Sequence, residues 1–114
     1  MPHLVIECSN KITEIKSPRE IIEAVHKTVV STDLFDEGDI KVRIKTYEHY
    51  SVGNTSDDFI HVFANIMEGR STNQKTHLSQ LVVSLLNNMF PRVPVISMNI
   101  RDFEKASYCN KLMI

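Results

Sequence analysis

The chain has 114 residues, 42% of them hydrophobic, and 13 basic residues against 14 acidic ones give a formal net charge of −1. This length predicts one domain, residues 1–114, that can bury a core. The near-zero charge excludes recruitment of nucleic acid or an anionic membrane through a global field, and no apolar run approaches the length of a membrane span. Two cysteines without a metal or redox motif favour a reducing compartment, so we expect a cytoplasmic protein.

The first predicted strand covers about residues 2–8. Its alternating pattern places two sets of side chains on opposite faces, Leu4, Ile6 and Cys8 on one and His3, Val5 and Glu7 on the other. A helix is predicted next, because Ser17 and Glu20 form a capping box around Pro18 at the first helical position. The apolar stripe of this helix ends near Ser31.

The second predicted strand begins at about Asp39, after the turn-like residues 36–38. It alternates an apolar face with a cationic face that carries Lys41, Arg43 and Lys45. A charged strand face is usually solvated, but it can also supply positive charge to a pocket. Residues 53–58 then have the composition of a loop.

The second half of the chain repeats this order of elements. Phe59–Met67 is nearly continuous in apolar residues, which predicts an interior strand. Ser71 and Gln74 form a second capping box, and the helix that follows stops before Pro91. Its predicted apolar stripe consists of Leu78, Leu81, Val82, Leu85 and Met89. A last strand is predicted over about residues 93–102, followed by a C-terminal tail.

The predicted order of strand, helix and strand thus occurs twice, in pseudo-repeats of about residues 1–50 and 58–103. Right-handed crossovers place both helices on one face of a four-stranded sheet, which gives an α/β (α+β) fold with a duplicated β-α-β unit. The apolar residues on the other sheet face have no third layer in this chain, so another subunit is the simplest cover. We therefore expect an oligomer.

Pro2 is the first candidate for chemistry. A small residue in second position normally permits removal of Met1, which would leave Pro2 as a free secondary amine. Exclusion of water disfavours the charged form of such an amine and lowers its pKa toward neutrality, as suits a general base. Alternatively, Pro2 only begins a strand, where proline is tolerated. If Met1 is retained, Pro2 is an amide and cannot act as a base.

Arg70 is the first candidate for binding an anion. It lies in the segment Gly69-Arg70-Ser71, where backbone amides at a helix start and a guanidinium can both face a carboxylate. The alternative is a solvated arginine after a glycine turn. The five histidines are scattered and lack metal-binding spacing, so we predict no metal site.

Three features belong together: the opening Pro2-His3-Leu4-Val5-Ile6-Glu7-Cys8-Ser9, the doubled strand-helix-strand pattern, and Gly69-Arg70-Ser71. In these features the chain resembles the tautomerase superfamily and, within it, the 5-carboxymethyl-2-hydroxymuconate isomerase family, whose P-H-x-x-x-E-C-S opening is intact. The similarity covers most of the chain and is weakest over residues 50–58 and in the tail. It implies a homotrimer without a cofactor that acts on a small unsaturated 2-hydroxy or 2-oxo dicarboxylic acid.

The resemblance also implies roles for individual residues. Pro2 would be the acid/base that moves a proton between carbons, or between enol oxygen and carbon, and Arg70 would be a carboxylate clamp. Where the family places a second functional arginine, this chain has Lys41, with Arg43 two residues further on. Lys41 keeps the charge but lacks the bidentate fork of a guanidinium. Either the substrate differs, therefore, or Arg43 contributes from the same strand face.

Three other interpretations stay open at this point. The chain could be a non-catalytic ligand-binding or regulatory trimer of the same fold, which retention of Met1 would favour. It could be a purely structural trimer whose cationic strand faces solvent. It could also be a tautomerase or dehalogenase-like enzyme for other unsaturated acids, which only substrate trials would distinguish.

Overall fold

Four strands and three α-helices make up the computed structural model, which describes residues 1–114. The strands are β1 (His3–Ser9), β2 (Lys41–Tyr47), β3 (Phe59–Met67) and β4 (Val95–Phe103). Helix α1 (Ile12–Ile15) is a single turn, and the long helices are α2 (Pro18–Ser31) and α3 (Thr72–Met89). Two short 3-10 helices cover Glu37–Asp39 and Lys111–Met113.

The four strands form one sheet in the order β2-β1-β3-β4. Each long helix joins two parallel strands, because α2 lies between β1 and β2 in the chain and α3 lies between β3 and β4. The two β-α-β units meet where β1 pairs antiparallel with β3. The predicted α+β fold with a duplicated β-α-β unit is therefore confirmed.

The hydrophobic core lies between one face of the sheet and the two long helices, as predicted. Every second strand residue faces it, so Leu4 of β1 stands beside Val42 of β2 and Ala64 of β3. The helix residues that cover this face are fully buried: Ile21, Val25 and Val29 of α2, and Leu78, Val82 and Leu86 of α3. Burial of one such aliphatic side chain stabilises the fold by about 1.5–3 kcal/mol, so this layer fixes both helices on the sheet.

Capping residues determine where the long helices begin. The Ser17 side chain accepts a hydrogen bond from the backbone N–H of Glu20 at 3.1 Å, but the predicted reciprocal bond to the Glu20 carboxylate is not made. At the start of α3 both bonds are present, because Ser71 and Gln74 each accept from the backbone N–H of the other. The second capping box is therefore complete and the first is half formed.

Three predicted limits or elements need correction. Strand β2 begins at Lys41 rather than Asp39, because Glu37–Asp39 is a 3-10 helix. Strand β4 begins at Val95 rather than residue 93, since Pro94 has no N–H for the ladder and the N–H of Val93 donates back to Phe90, at 3.1 Å. Helix α1 was not predicted, and its Ile12 is fully buried in the hydrophobic core.

The opposite face of the sheet, termed the open face, carries the other set of strand side chains. Phe63 and Val95 on it are 38% and 37% exposed. Between them His61 makes hydrogen bonds of 2.6 Å to the side chains of both Ser97 and Asn99. No helix of the protein has the length and apolar character needed to cross a membrane.

Candidate active site

Three chain segments meet at the end of the sheet where β1 begins. Strand β2 starts there because it runs parallel to β1, and β3 ends there because it runs antiparallel. The backbone N–H of Lys41 donates to the carbonyl oxygen of Pro2 at 3.1 Å. The sheet ladder therefore fixes the position of the amino terminus relative to Lys41 and to the turn that carries Arg70.

Pro2 is buried at this end of the sheet. Met1 precedes it in the structure, so the nitrogen of Pro2 is an amide and the free amine belongs to Met1. Burial lowers the pKa of the Met1 amino group; the carboxylate of Asp39 opposes this shift, and the cations Arg70 and Lys41 add to it. An amine at this place is thus held closer to its neutral, proton-accepting form than an amine in water.

Arg70 lies in the turn between β3 and α3, and Gly69 makes that turn possible. The φ angle of Gly69 is +127°, a backbone conformation that side chains with a Cβ rarely adopt. The Arg70 guanidinium donates to the carbonyl oxygen of Leu34 at 2.6 Å and lies over the ring of Phe35, 4.6 Å from its centroid. The side chain is therefore held by the loop after α2, which is distant in sequence.

These segments enclose a cavity of about 290 Å³ at the amino terminus. The residues that line it are Met1, Asp33, Leu34, Phe35, Asp36, Asp39 and Arg70. Arg70 makes no ion pair with any of the three carboxylates, since the ion pairs of the protein lie elsewhere. The guanidinium therefore retains N–H groups that can bind an anion in the cavity.

Lys41 and Arg43, the two cations of β2, have different surroundings. The Lys41 ammonium donates to the backbone carbonyl of Asp39 at 2.7 Å and lies 3.9 Å from the sulfur of Met1. Arg43 lies further along the strand, where its guanidinium is 3.1 Å from Nδ1 of His3. Neither Lys41 nor Arg43 lines the cavity, but Lys41 lies close enough to the Met1 amine to lower its pKa. The structure thus brings Pro2, Arg70 and Lys41 together and leaves Arg43 beside His3.

The contact with Arg43 also affects His3. Burial lowers the pKa of His3, and the positive charges of Arg43 and Lys41 lower it further. A neutral His3 can accept the Arg43 hydrogen bond through Nδ1. This hydrogen bond holds the Arg43 guanidinium against His3 on the open face of the sheet, and Lys41 is the β2 cation next to the amino terminus.

Sequence reasoning missed the Leu34 carbonyl and the Phe35 ring. The only local signal in the sequence is the pair of apolar residues Leu34 and Phe35 after Asp33. The φ angle of Asp33, +57°, turns the chain at this point, but a φ angle is not visible in a sequence. No group of three or more His, Cys, Asp or Glu side chains is placed to hold a metal ion. Chemically, the cavity is lined by an amine of lowered pKa, the Arg70 guanidinium and three aspartates, and Lys41 lies next to the amine outside this lining. An amine held near its neutral form beside cations is suited to proton transfer on an anionic molecule.

A model of the 5-carboxymethyl-2-hydroxymuconate isomerase family matches residues 2–112. A 5-carboxymethyl-2-hydroxymuconate Delta-isomerase of Escherichia coli is 24% identical over 92 residues, which are 79% of this chain and 73% of that protein. The crystal structure of a 5-carboxymethyl-2-hydroxymuconate isomerase from Deinococcus radiodurans R1 has a TM-score of 0.84 and 24% identity, covering 96% of this chain and 88% of that one.

A further solved structure, a wild-type fused 4-OT described as an asymmetric trimer, has a TM-score of 0.79 at 14% identity and covers 96% of this chain and 92% of its own. The two structural likenesses show a shared fold. The family match spans nearly every residue, from Pro2 to Leu112. On that basis, the chain belongs to the 5-carboxymethyl-2-hydroxymuconate isomerase family, within the tautomerase superfamily.

Proposed function

We propose that the protein is a cofactor-free isomerase that moves a proton within an unsaturated 2-hydroxy or 2-oxo dicarboxylic acid of the 5-carboxymethyl-2-hydroxymuconate type. Pro2, freed by removal of Met1, is the proposed acid/base. The observation that carries this proposal is the position of the amino terminus, at a cavity beside Arg70 and Lys41. Membership of an isomerase family supports the reaction type.

In the proposed reaction the neutral nitrogen of Pro2 takes the proton of the 2-hydroxyl group of a dienol. The electron pair of the broken O–H bond forms the C2 carbonyl, the double bonds shift, and Pro2 returns the proton to a carbon further along the chain. Arg70 binds a carboxylate through the N–H groups that it does not use on Leu34. Lys41 stabilises the negative charge that develops on the 2-oxygen.

Lys41 is assigned this role in preference to Arg43 because of their neighbours. The Lys41 ammonium lies at the amino terminus, against the sulfur of Met1, whereas Arg43 is hydrogen-bonded to His3. An ammonium binds as a point charge and does not make the bidentate contact of a guanidinium. A single oxygen is accordingly the natural ligand of Lys41.

The same charges set the expected pH dependence. After loss of Met1 the free amine is that of Pro2, one residue along, and we expect the causes that act on the Met1 amine to act on it as well: burial, Arg70 and Lys41 to lower its pKa and Asp39 to raise it. Turnover should fall as the pH drops through this pKa, because a protonated amine cannot accept a proton. Lys41→Met should move this acidic limb to higher pH, and Asp39→Asn should move it to lower pH.

We also propose that the protein assembles as a homotrimer through the open face. The exposed Phe63 and Val95 on that face support this assembly, as does the trimer described for fused 4-OT. Phe63→Asp should reduce the sedimenting species to monomer, since it places a charge in the apolar contact. Asn87→Asp, on the exposed side of α3, is the matched control and should leave the trimer intact.

A second candidate function is a ligand-binding or regulatory trimer without catalysis. Retention of Met1 in the mature protein would favour it, because Met1 would then line the cavity and the nitrogen of Pro2 would be an amide. In that case the cavity binds a carboxylate through Arg70 but moves no proton. The mass of the purified protein, with or without Met1, is the first measurement that separates the two candidates.

The deciding experiment follows ketonisation of 2-hydroxymuconate-type dienols by ultraviolet absorbance, using protein whose mass shows loss of Met1. Pro2→Ala keeps an amine and the carbonyl that accepts from Lys41, so the fold should survive. Loss of the positioned ring amine should lower kcat by about 10²- to 10⁴-fold, the usual contribution of general acid–base catalysis. Undiminished turnover in Pro2→Ala would refute the role of Pro2.

Arg70→Ala tests the carboxylate clamp in the same assay. Charge-assisted hydrogen bonds contribute about 1.5–3 kcal/mol, so KM should rise by about 10- to 150-fold. Arg19→Ala removes the same charge from the exposed side of α2, where Arg19 pairs only with Glu23, and should change neither constant. An unchanged KM in Arg70→Ala would count against the clamp.

A further inference from the structure

The loop after α2 is built to present one aromatic ring to Arg70. The Thr32 hydroxyl donates to the carbonyl of Val29 at 2.7 Å and accepts from the N–H of Leu34 at 3.3 Å. Asp33 between them has a φ of +57°, so the chain reverses direction there. This reversal aims the Leu34 carbonyl and the Phe35 ring at the cavity.

Phe35 contacts both the core and the cavity. One part of the half-buried ring packs against the hydrophobic core, which fixes its position. Its face lies 4.6 Å from the Arg70 guanidinium carbon, within the range of a cation–π interaction. Together with the 2.6 Å hydrogen bond to Leu34, this contact restrains a side chain that would otherwise sample many rotamers.

We propose that Phe35 is a positioning residue that acts through Arg70: the ring holds the guanidinium in the orientation that binds the substrate carboxylate and keeps its charge near the amino-terminal amine. This inference rests on the proposed function for its link to catalysis, but its two direct consequences do not require turnover. They are the affinity of the cavity for a carboxylate and the pKa of the terminal amine.

The test compares Phe35→Leu, which removes the π face, with Phe35→Tyr, which keeps it. Binding of the inert dicarboxylate adipate is measured by calorimetry, and the pKa of the terminal amine is measured by NMR titration of proline-labelled protein. A cation–π contact of this kind corresponds to about a 2- to 30-fold loss of affinity in Phe35→Leu. The pKa of the amine should rise in the same variant, because the cation is no longer held beside it.

Two controls separate positioning from a general loss of stability. Phe59→Leu makes the same chemical change at the far end of β3, where Phe59 lies 5.2 Å from the ring of Tyr50, and should leave affinity and amine pKa unchanged. In an Arg70→Ala background Phe35→Leu should cause no further loss of affinity, because the effect passes through Arg70. Phe35→Tyr should have the same affinity and the same amine pKa as the wild type.

The proposal is overturned if Phe35→Leu leaves the affinity and the amine pKa unchanged, or if Phe35→Tyr differs from the wild type in either value. It is also overturned if the losses of affinity caused by Arg70→Ala and Phe35→Leu add in the double variant. If the affinity and the pKa respond as expected while dienols are not ketonised, the positioning role holds and the isomerase proposal fails. If dienols are ketonised and KM in Phe35→Leu equals that of the wild type, the isomerase proposal holds and the positioning role fails.

Discussion

The backbone at Gly69 offers the sharpest test of how the turn supports Arg70. Gly69→Ala adds a Cβ with nothing within 4 Å of it, so crowding contributes nothing, but it forces a side chain onto a φ of +127°. Such strain costs of the order of 1–3 kcal/mol, offset by about 0.4–1 kcal/mol from the stiffer unfolded chain. The expected net loss is about 0–2.6 kcal/mol, or up to about 10 °C in Tm at about 4 °C per kcal/mol.

Gly38 provides a matched control, because its added Cβ also meets nothing within 4 Å but its φ is ordinary. Gly38→Ala should be neutral or stabilising by about 0.4–1 kcal/mol. Unfolding is followed in urea and by heating at one protein concentration, since self-association would otherwise shift the midpoints. Equal stability of the two variants would refute the strain argument at Gly69.

The same pair of variants links the turn to function. A relaxed backbone at Gly69 changes the direction in which Arg70 leaves the chain, so KM for a dicarboxylate should rise in Gly69→Ala and stay constant in Gly38→Ala. A destabilised Gly69→Ala protein with an unchanged KM would mean that the Leu34 and Phe35 contacts alone determine the position of Arg70.

Three further outcomes follow from the contacts and pKa shifts. At pH 8 a thiol reagent should label the exposed Cys109 and leave Cys8 unlabelled, because burial makes the Cys8 thiol inaccessible and raises its pKa to about 11. Peptide masses show which thiol reacts, and equal labelling of the two cysteines would contradict this expectation. Arg43→Ala should raise the pKa of His3 in an NMR titration, since a cation that lowers it is removed. Ser71→Ala should cost about 0.5–2 kcal/mol in urea unfolding, whereas alanine in place of an exposed serine within α3 should cost nothing.

Periodicity made most of the fold predictable. In β1 the side chains alternate from His3 to Cys8, and the structure buries one set and leaves the other half-buried. In β3 the nearly continuous apolar run predicted an interior strand, and β3 lies between β1 and β4 in the sheet. Ser17 before α2 with Pro18 at its first position, and the Ser71 capping box before α3, located both helix starts to the residue. These signals depend only on residues close together in the sequence, so they can be recognised without knowledge of the tertiary structure.

Helix faces were less predictable because the pattern in α3 allows more than one stripe. The predicted stripe included Leu81 and Leu85, both of which are half-buried, and omitted Leu86, which is fully buried. An apolar residue on the border of a stripe can point to either side, and the packing of α3 against α2 and β4 decides which side is covered. This decision depends on neighbours from other parts of the chain.

The site shows the same division between local and tertiary information. Gly69-Arg70-Ser71 was recognisable as a turn and an anion candidate from three consecutive residues. That Arg70 is held by Leu34 and Phe35 depends on a contact across 36 residues of sequence. Likewise Lys41 and Arg43 lie on one strand face, and contacts that the sequence does not show distinguish them: Lys41 lies against the sulfur of Met1, whereas Arg43 is hydrogen-bonded to His3.

The location of Pro2 follows from the register of the central strands, which ties the chemistry to the fold. Leu4 and Ile6 are fully buried, and a shift of β1 by one residue would turn both to the open face. The register that avoids this pairs His3 with Lys41 and with Asn65, so the residue before His3 stands at the sheet end where Lys41 begins and the Arg70 turn follows β3. The hydrophobic alternation of β1 therefore also positions the terminal amine, and any change that slips this strand should lose fold and site together.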